Sequence, residues 1–248
     1  MGRTQRIVVV GVCTLTALAL GLLVAGVPTV VVRVFDVVNS ATLFVIGASV
    51  RMLHREQRLI MAALGISALG DLFLSRVLPA PGGEASMAGM ACFLAAYVVL
   101  TVALLRGRPG PWEALLVIPF LGSGTVVVWA LKDYLTGAFL LAVPIFLLII
   151  TMMAWSATTT LVRTYFVPRV RWWAAIGATV IFASDAAVAF EMFYPPFSPQ
   201  PPMALQFFVR ASYIAGWLLM LLIVCDPVLR YAADGANTPD AVGREGRS

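Results

Sequence analysis

The chain of 248 residues is dominated by apolar runs of about twenty residues, the length an α-helix needs to cross the hydrocarbon core of a bilayer. With 61% hydrophobic and only 12% charged residues, it has more apolar surface than a soluble domain could bury. The sequence therefore predicts an all-α, polytopic membrane helix bundle with eight transmembrane helices. The predicted helices occupy residues 7–26, 30–50, 58–78, 86–105, 112–131, 136–161, 172–193 and 204–225.

Arginine residues between the apolar runs predict the orientation of the chain. If the N-terminus is cytoplasmic, the inner loops carry eleven arginines, whereas the outer side carries Arg33, Arg76 and Lys132. Positively charged loops stay in the cytoplasm, so both termini are expected there. We predict one transmembrane domain over residues 1–229 and a short disordered tail over residues 230–248. Because arginine far outnumbers lysine, the expected location is a bacterial inner membrane.

Charge and cysteine usage argue against several classes of protein. The net charge of +5 comes from arginines scattered between apolar runs and not from a basic patch, so no nucleic-acid partner is expected. Cys13, Cys92 and Cys225 lie singly within apolar runs, and His54 is the only histidine. These residues lack the spacing of metal ligands, so we expect no metal and no cofactor.

Two aspartates lie inside predicted spans, Asp71 in the third run and Asp185 in the seventh. An aspartate at the centre of a membrane helix costs about 2.5–3.5 kcal/mol on insertion scales, so such residues usually face the bundle interior and serve a reaction or a pathway. Both runs are predicted to point outward, and each carries its aspartate thirteen residues after its predicted start. We therefore expect two functional carboxylates at the same depth.

Other polar side chains are predicted to share a cavity with the aspartates, because residues three, four and seven apart lie on one face of a helix. Purely structural roles are the alternatives: Arg33 and Asp36 could form an interfacial ion pair, and Arg210 could neutralise one aspartate. Tyr213 could simply pack with Trp217. The predicted cavity residues besides the aspartates are Ser67, Ser75, Arg33, Asp36, Arg210 and Tyr213.

Residues 63–74 and 177–190 resemble the YhhN/lysoplasmalogenase family of eight-helix membrane proteins. A closing segment, Tyr213-Ile214-Ala215 followed by Leu218-Leu219, is also similar to that family. The resemblance covers nearly the whole chain and implies the same fold. It is carried by Ala63-Leu64-Gly65, Ser67, Leu69-Gly70-Asp71 and Leu74, and by Gly177-Ala178, Phe182 and Ser184-Asp185.

The resemblance implies hydrolysis of the vinyl-ether bond of a lysoplasmalogen to a fatty aldehyde and a glycerophospho-alcohol. Protonation of the β-carbon of a vinyl ether creates an oxocarbenium-like cation that water attacks. Two buried carboxylic acids suit this chemistry if one is protonated and the other ionised. We expect Asp71 and Asp185 to be the acid and base, without a cofactor. Arg210 or Arg33 would hold the phosphate of the lysophospholipid; these two assignments are ours.

The chain departs from the family pattern at three positions. Arg33 lies in the region where the family has a lysine, Tyr97 is the nearest polar residue to an expected histidine, and Trp217 replaces a Gln or His. A non-catalytic lipid-binding membrane protein is therefore an alternative. A proton-coupled transporter is another, because intramembrane carboxylates also relay protons. An intramembrane aspartyl protease fits less well, since Asp71 does not follow a Gly-x-Gly.

Overall fold

The computed structural model describes residues 3–25, 29–75, 84–105, 107, 109–197 and 201–229. The helices in this part of the chain form one bundle, and a short 3-10 helix, Pro195–Phe197, precedes the last of them. The helices are α1 (Arg3–Val24), α2 (Thr29–Ala48), α3 (Arg55–Leu74), α4 (Glu84–Leu104), α5 (Pro111–Leu115), α6 (Ile118–Leu131), α7 (Phe139–Thr159), α8 (Pro168–Phe193) and α9 (Met203–Val224).

The described residues contain seven segments that are long and apolar enough to cross a membrane, so the all-helical membrane class is confirmed. Large apolar side chains stay exposed on the outer faces of the helices, for example Val126 at 63% and Leu141 at 70%. Exposing so much apolar surface to water is unfavourable, whereas contact between this surface and lipid tails is not. The apolar part of α1, Val9–Leu22, is shorter than the other seven segments, so eight spans and cytoplasmic termini stay predictions.

The predicted span 112–131 is not one regular helix. It is interrupted by a turn at Leu116 and Val117, so it forms α5 and then α6. Pro119 lies in the first turn of α6, where a residue without an N–H group is tolerated. The boundaries of the other helices differ from the predicted ones by a few residues. The predicted tail, residues 230–248, lies outside the described residues.

Gln57 explains why α3 begins earlier than predicted. Its side-chain carbonyl accepts hydrogen bonds from the backbone N–H groups of Leu53 and His54, both at 3.0 Å. Its amide group donates to the carbonyl oxygens of Val224 at 3.0 Å and Asp226 at 2.7 Å. One buried side chain thus satisfies backbone groups at the start of α3 and at the end of α9.

We expect Gln57→Leu to lower the free energy of unfolding by about 2 kcal/mol, because buried backbone groups at two helix ends would lose their partner. Thermal unfolding of the detergent-solubilised protein measures this change. Ala62→Leu on the exposed side of the same helix is the control and should leave the transition unchanged. An unaltered transition in Gln57→Leu would show that these helix ends do not need the side chain.

The contacts of α9 define the relative directions of α3 and α8. Gln57 near the start of α3 reaches the end of α9, whereas Asp71 near the end of α3 bonds to Tyr213 in the first half of α9, so the two helices are antiparallel. Ser184 in α8 donates to the carbonyl of Val209 near the start of α9 at 3.0 Å.

The opposite half of α8 packs against a later part of α9, where Gly177 lies against Gly216. Helix α8 is therefore antiparallel to α9, and α3 and α8 run in the same direction, as predicted. Asp71 lies sixteen residues after the start of α3, and Asp185 lies seventeen residues after the start of α8. At about 1.5 Å per residue the two aspartates lie at nearly equal distances along their helices.

Candidate functional site

A cavity of about 460 Å³ lies among α2, α3, α4, α7, α8 and α9. Seven of the eight predicted site residues line it. The seven residues are Arg33, Asp36, Asp71, Ser75, Asp185, Arg210 and Tyr213. The eighth, Ser67, is only 2% exposed, lies outside the lining and donates a hydrogen bond to the carbonyl of Leu64 at 2.9 Å.

Asp71 lies three residues before the end of α3, where three helices meet. Its Oδ2 atom accepts a short hydrogen bond from the hydroxyl of Ser40 in α2 and another from Tyr213 in α9 at 2.8 Å. The preceding residue must be small, because a Cβ atom at Gly70 would lie 2.9 Å from the ring of Phe93 in α4. The glycine therefore lets α4 approach closely, and the aspartate beside it faces the cavity.

Asp185 lies on α8 and is 9% exposed. Its Oδ2 atom accepts a short hydrogen bond from the hydroxyl of Tyr97 in α4, a side chain with no exposed surface. The neighbouring Ser184 holds α8 to α9 through its bond to the carbonyl of Val209. Each of the two predicted aspartates thus receives at least one hydroxyl hydrogen bond from another helix.

The ring of Phe93 connects the surroundings of the two carboxylates. Its centroid lies 6.1 Å from the ring of Tyr97, which is stacked on it, and 6.1 Å from the ring of Tyr213, which meets it edge-on. These arrangements are favourable for aromatic pairs. The two tyrosines that donate to Asp185 and Asp71 are therefore packed on one buried ring, which restricts their motion and fixes their hydroxyl groups.

Four charged side chains form one part of the cavity lining, which we call the mouth: Arg33, Asp36, Glu191 and Arg210. Arg210 donates to Asp36 at 3.2 Å and to the carbonyl of Gln206 at 3.1 Å. Asp36 therefore pairs with α9 and not with Arg33 on its own helix. The described residues therefore do not form the Arg33–Asp36 ion pair that was the structural alternative.

Sequence reasoning did not assign three residues of this site: Ser40, Tyr97 and Glu191. Ser40 lies four residues after Asp36 on the same helical face. The sequence therefore predicts the face on which Ser40 lies, but not its hydrogen bond to Asp71. Tyr97 was apparent only as a polar residue in an apolar run. Glu191 falls six residues after Asp185, which is off the helical spacing of three, four or seven. Trp217 is 1% exposed and does not line the cavity.

The arrangement has the parts needed for proton transfer between two carboxyl groups and a bound molecule. Hydroxyl donors orient each carboxyl group, and burial of these groups strengthens electrostatic effects. The apolar part of the lining includes Val143, Phe146 and Leu147 of α7, which suit a hydrocarbon chain. Within the described ranges, no three His, Cys, Asp or Glu side chains are grouped so that they could hold a metal ion.

Comparison with known families matches residues 29–224 of the chain to the model of the YhhN family. The matched region begins at α2 and ends with α9, so it contains every residue of the cavity lining. No curated protein matches the chain, and no solved structure matches it.

Proposed function

Because the chain belongs to the YhhN family, we propose that it is a membrane-embedded hydrolase that cleaves the vinyl-ether bond of lysoplasmalogens. The observation that carries this proposal is the presence of Asp71 and Asp185 in one cavity, each with a hydroxyl donor from another helix. The products would be a fatty aldehyde and a glycerophospho-alcohol. The membrane in question would be the inner membrane of a bacterium, with both termini in the cytoplasm.

The first step needs one protonated and one ionised carboxyl group. Two hydroxyl groups donate to Asp71, whereas one donates to Asp185, and such bonds stabilise a carboxylate. We therefore assign Asp185 as the acid and Asp71 as the base. Asp185 gives its proton to the β-carbon of the vinyl ether, and the double-bond electrons form the new C–H bond. The positive charge is then shared by the α-carbon and the ether oxygen.

In the second step Asp71 takes a proton from water as the water oxygen bonds to the α-carbon, which gives a hemiacetal. Asp71 is now protonated and Asp185 is ionised. Asp71 then returns its proton to the glycerol oxygen as the C–O bond breaks, and Asp185 removes the proton of the hemiacetal hydroxyl group. The aldehyde and the alcohol leave, and both aspartates regain their starting states.

The cavity lining suggests how a lysophospholipid would lie. The alkenyl chain would contact the apolar side chains of α7, and the phosphate would lie at the mouth near Arg33 or Arg210. A guanidinium group binds phosphate oxygens through paired hydrogen bonds. Asp36 would keep Arg210 in place through their ion pair, and Ser75 would contact the glycerol backbone at the end of α3.

Release of aldehyde by the purified full-length protein tests the proposal. A lysoplasmalogen should yield fatty aldehyde, whereas the same lipid with a saturated ether should yield none, because it has no β-carbon that can be protonated. Background activity on the vinyl ether would refute the hydrolase. Uptake into proteoliposomes that responds to a pH gradient would instead support a carrier, although α3 and α8 are continuous through both aspartates and lack the broken helices common in carriers.

The hydroxyl donors should matter for turnover more than for binding. We expect Tyr213→Phe and Tyr97→Phe each to lower kcat about 10- to 100-fold, because a hydrogen bond to a charged group is worth roughly 1.5–3 kcal/mol. The KM should change little. Steady-state aldehyde release measures both constants. Tyr134→Phe, at an exposed position outside the cavity lining, is the matched control and should retain wild-type rates. Equal rates in all three variants would contradict the assigned roles.

A further inference from the structure

The residues that line the cavity lie towards one end of the bundle. Helices α3 and α8 contribute residues near their ends, whereas α2, α4, α7 and α9 contribute residues from their starts to their middle turns. These regions meet because neighbouring helices run in opposite directions. Gly89 near the start of α4 lies against Leu74 at the end of α3, and the ring centroid of Phe139 at the start of α7 lies 5.1 Å from that of Phe193 at the end of α8. The mouth lies at this end, where the Asp36 side chain keeps 35% of its surface exposed.

The other half of the bundle is filled by apolar side chains. A protein interior is close-packed and has few voids larger than a water molecule. Within the described ranges, the cavity therefore ends at this packed core and does not continue to the far end of the bundle. Six apolar residues from five helices have no exposed surface there and do not line the cavity: Ile60, Leu100, Ile150, Met153, Val170 and Leu221.

Five polar side chains join the helices at the far end, beyond this core, and we call them the clasp: Glu56, Gln57, Tyr165, Arg169 and Asp226. Tyr165, between α7 and α8, donates to Glu56 of α3 at 2.9 Å, and Arg169 of α8 donates to both carboxylate oxygens of Asp226 at 2.6 and 2.7 Å. Gln57 adds its hydrogen bond from α3 to the carbonyl of Asp226. Glu56 and Asp226 are each only 1% exposed. Separating buried charged groups from their partners is unfavourable, so the clasp keeps this end of the bundle closed.

Arginine residues indicate that the clasp faces the cytoplasm. Positively charged loops and helix ends are retained on the cytoplasmic side of a membrane. In the described residues, the mouth end carries Arg33, Lys132 and Arg210, which is paired with Asp36. The clasp end carries more basic residues: Arg51, Arg55, Arg58, Arg163, Arg169 and Arg171.

We propose that the cavity exchanges its ligand with only one side of the membrane, the side opposite the cytoplasm, so that the protein draws its substrate from the non-cytoplasmic leaflet. The one-sided access follows from the packed core and the clasp, whatever is bound. The nature of the substrate, a lysophospholipid, rests on the proposed function. One-sided access also separates a hydrolase from a carrier, because a carrier must open its site to the two sides in turn.

Labelling of introduced cysteines tests the access without any substrate. Cys13, Cys92 and Cys225 are first replaced by alanine in the full chain, and Ser75→Cys or Ser86→Cys then places one thiol in the cavity lining. A membrane-impermeant maleimide is added to sealed right-side-out and inside-out vesicles from the bacterium used for expression. We expect labelling to be at least about tenfold faster in right-side-out vesicles, because only accessible thiolates react.

Arg58→Cys in the same background is the matched control, since this exposed residue lies at the clasp end and outside the cavity lining. It should be labelled faster in inside-out vesicles. Labelling of Ser75→Cys and Ser86→Cys at similar rates in both kinds of vesicle would overturn the proposal and would support a carrier. Faster labelling of both in inside-out vesicles would also overturn it, because the cavity would then face the cytoplasm.

Aldehyde release from a lysoplasmalogen added to the accessible leaflet gives the second test. Wild type should release aldehyde faster in right-side-out than in inside-out vesicles, and detergent should make the two rates equal, since it removes the barrier between the leaflets. Equal rates in the sealed vesicles would overturn the proposal. Absence of release even in detergent would refute the hydrolase alone, because the labelling result decides the access independently.

Discussion

Asp71→Asn and Asp185→Asn should each reduce aldehyde release by about a thousandfold, the range over which positioned acids and bases act. An asparagine has nearly the same shape as an aspartate and can still accept hydrogen bonds from Tyr213 or Tyr97. It cannot carry the proton that each step moves. The loss should therefore come from chemistry, with little change in fold, and steady-state release from a lysoplasmalogen measures it.

Asp133→Asn is the control for these variants, since it removes a carboxylate at an exposed position outside the cavity lining. It should retain wild-type activity. The activity of the double variant Asp71→Asn/Asp185→Asn should lie within a few fold of that of the less active single variant. The reason is that the effects of residues that act as one unit are not additive. Full activity in both single variants would show that the reaction, if present, occurs elsewhere.

Gly216→Ala should lower the free energy of unfolding by about 3 kcal/mol, the upper range for overpacking a well-packed interior. A Cβ atom there would lie 2.5 Å from a side-chain carbon of Ile181 and 2.9 Å from the backbone carbonyl oxygen of Gly177. A side chain can rotate away, but a helix backbone cannot, so α8 and α9 would have to separate. Small residues at such crossings allow membrane helices to pack closely.

Gly122→Ala on α6 is the matched control, because an added Cβ atom would have no neighbour within 4 Å. It should be neutral or slightly stabilising, since alanine favours a helix over glycine by up to about 1 kcal/mol. Denaturant or thermal unfolding in detergent compares the two variants. Aldehyde release should also fall in Gly216→Ala, because Tyr213 lies three residues earlier on α9. An identical transition in the two variants would mean that the α8–α9 contact is looser than described.

Much of the site was predictable because its polar residues stand out within the apolar sequences of their helices. A carboxylate in an apolar run is conspicuous, which singled out Asp71 and Asp185, and helical spacing pointed to Ser75 and Tyr213, which line the cavity. The same reasoning included Ser67, which shares the face of Asp71 but lies one turn deeper, outside the cavity. Spacing along a helix gives the face of a residue but not the depth at which the cavity ends.

The partners of the predicted residues were not predictable, because each lies on another helix. The hydroxyl group of Tyr97 reaches Asp185 from α4, and Arg210 of α9 pairs with Asp36 of α2. Helix α3 begins where it does because Gln57 also binds the end of α9. Each of these contacts joins residues far apart in sequence, and no local pattern specifies which helices become neighbours.

By itself, the sequence determined the helical membrane class, the approximate positions of the helices and the two aspartates, because hydrophobic length and isolated charges depend only on local composition. The tertiary structure alone decided which polar groups share a cavity, which hydroxyl groups orient Asp71 and Asp185, and that Arg210 pairs with Asp36 at the mouth. The physical reason is that a hydrogen bond or ion pair acts over a few ångströms. The close packing of helices, as at Gly177 and Gly216, brings such groups within that range.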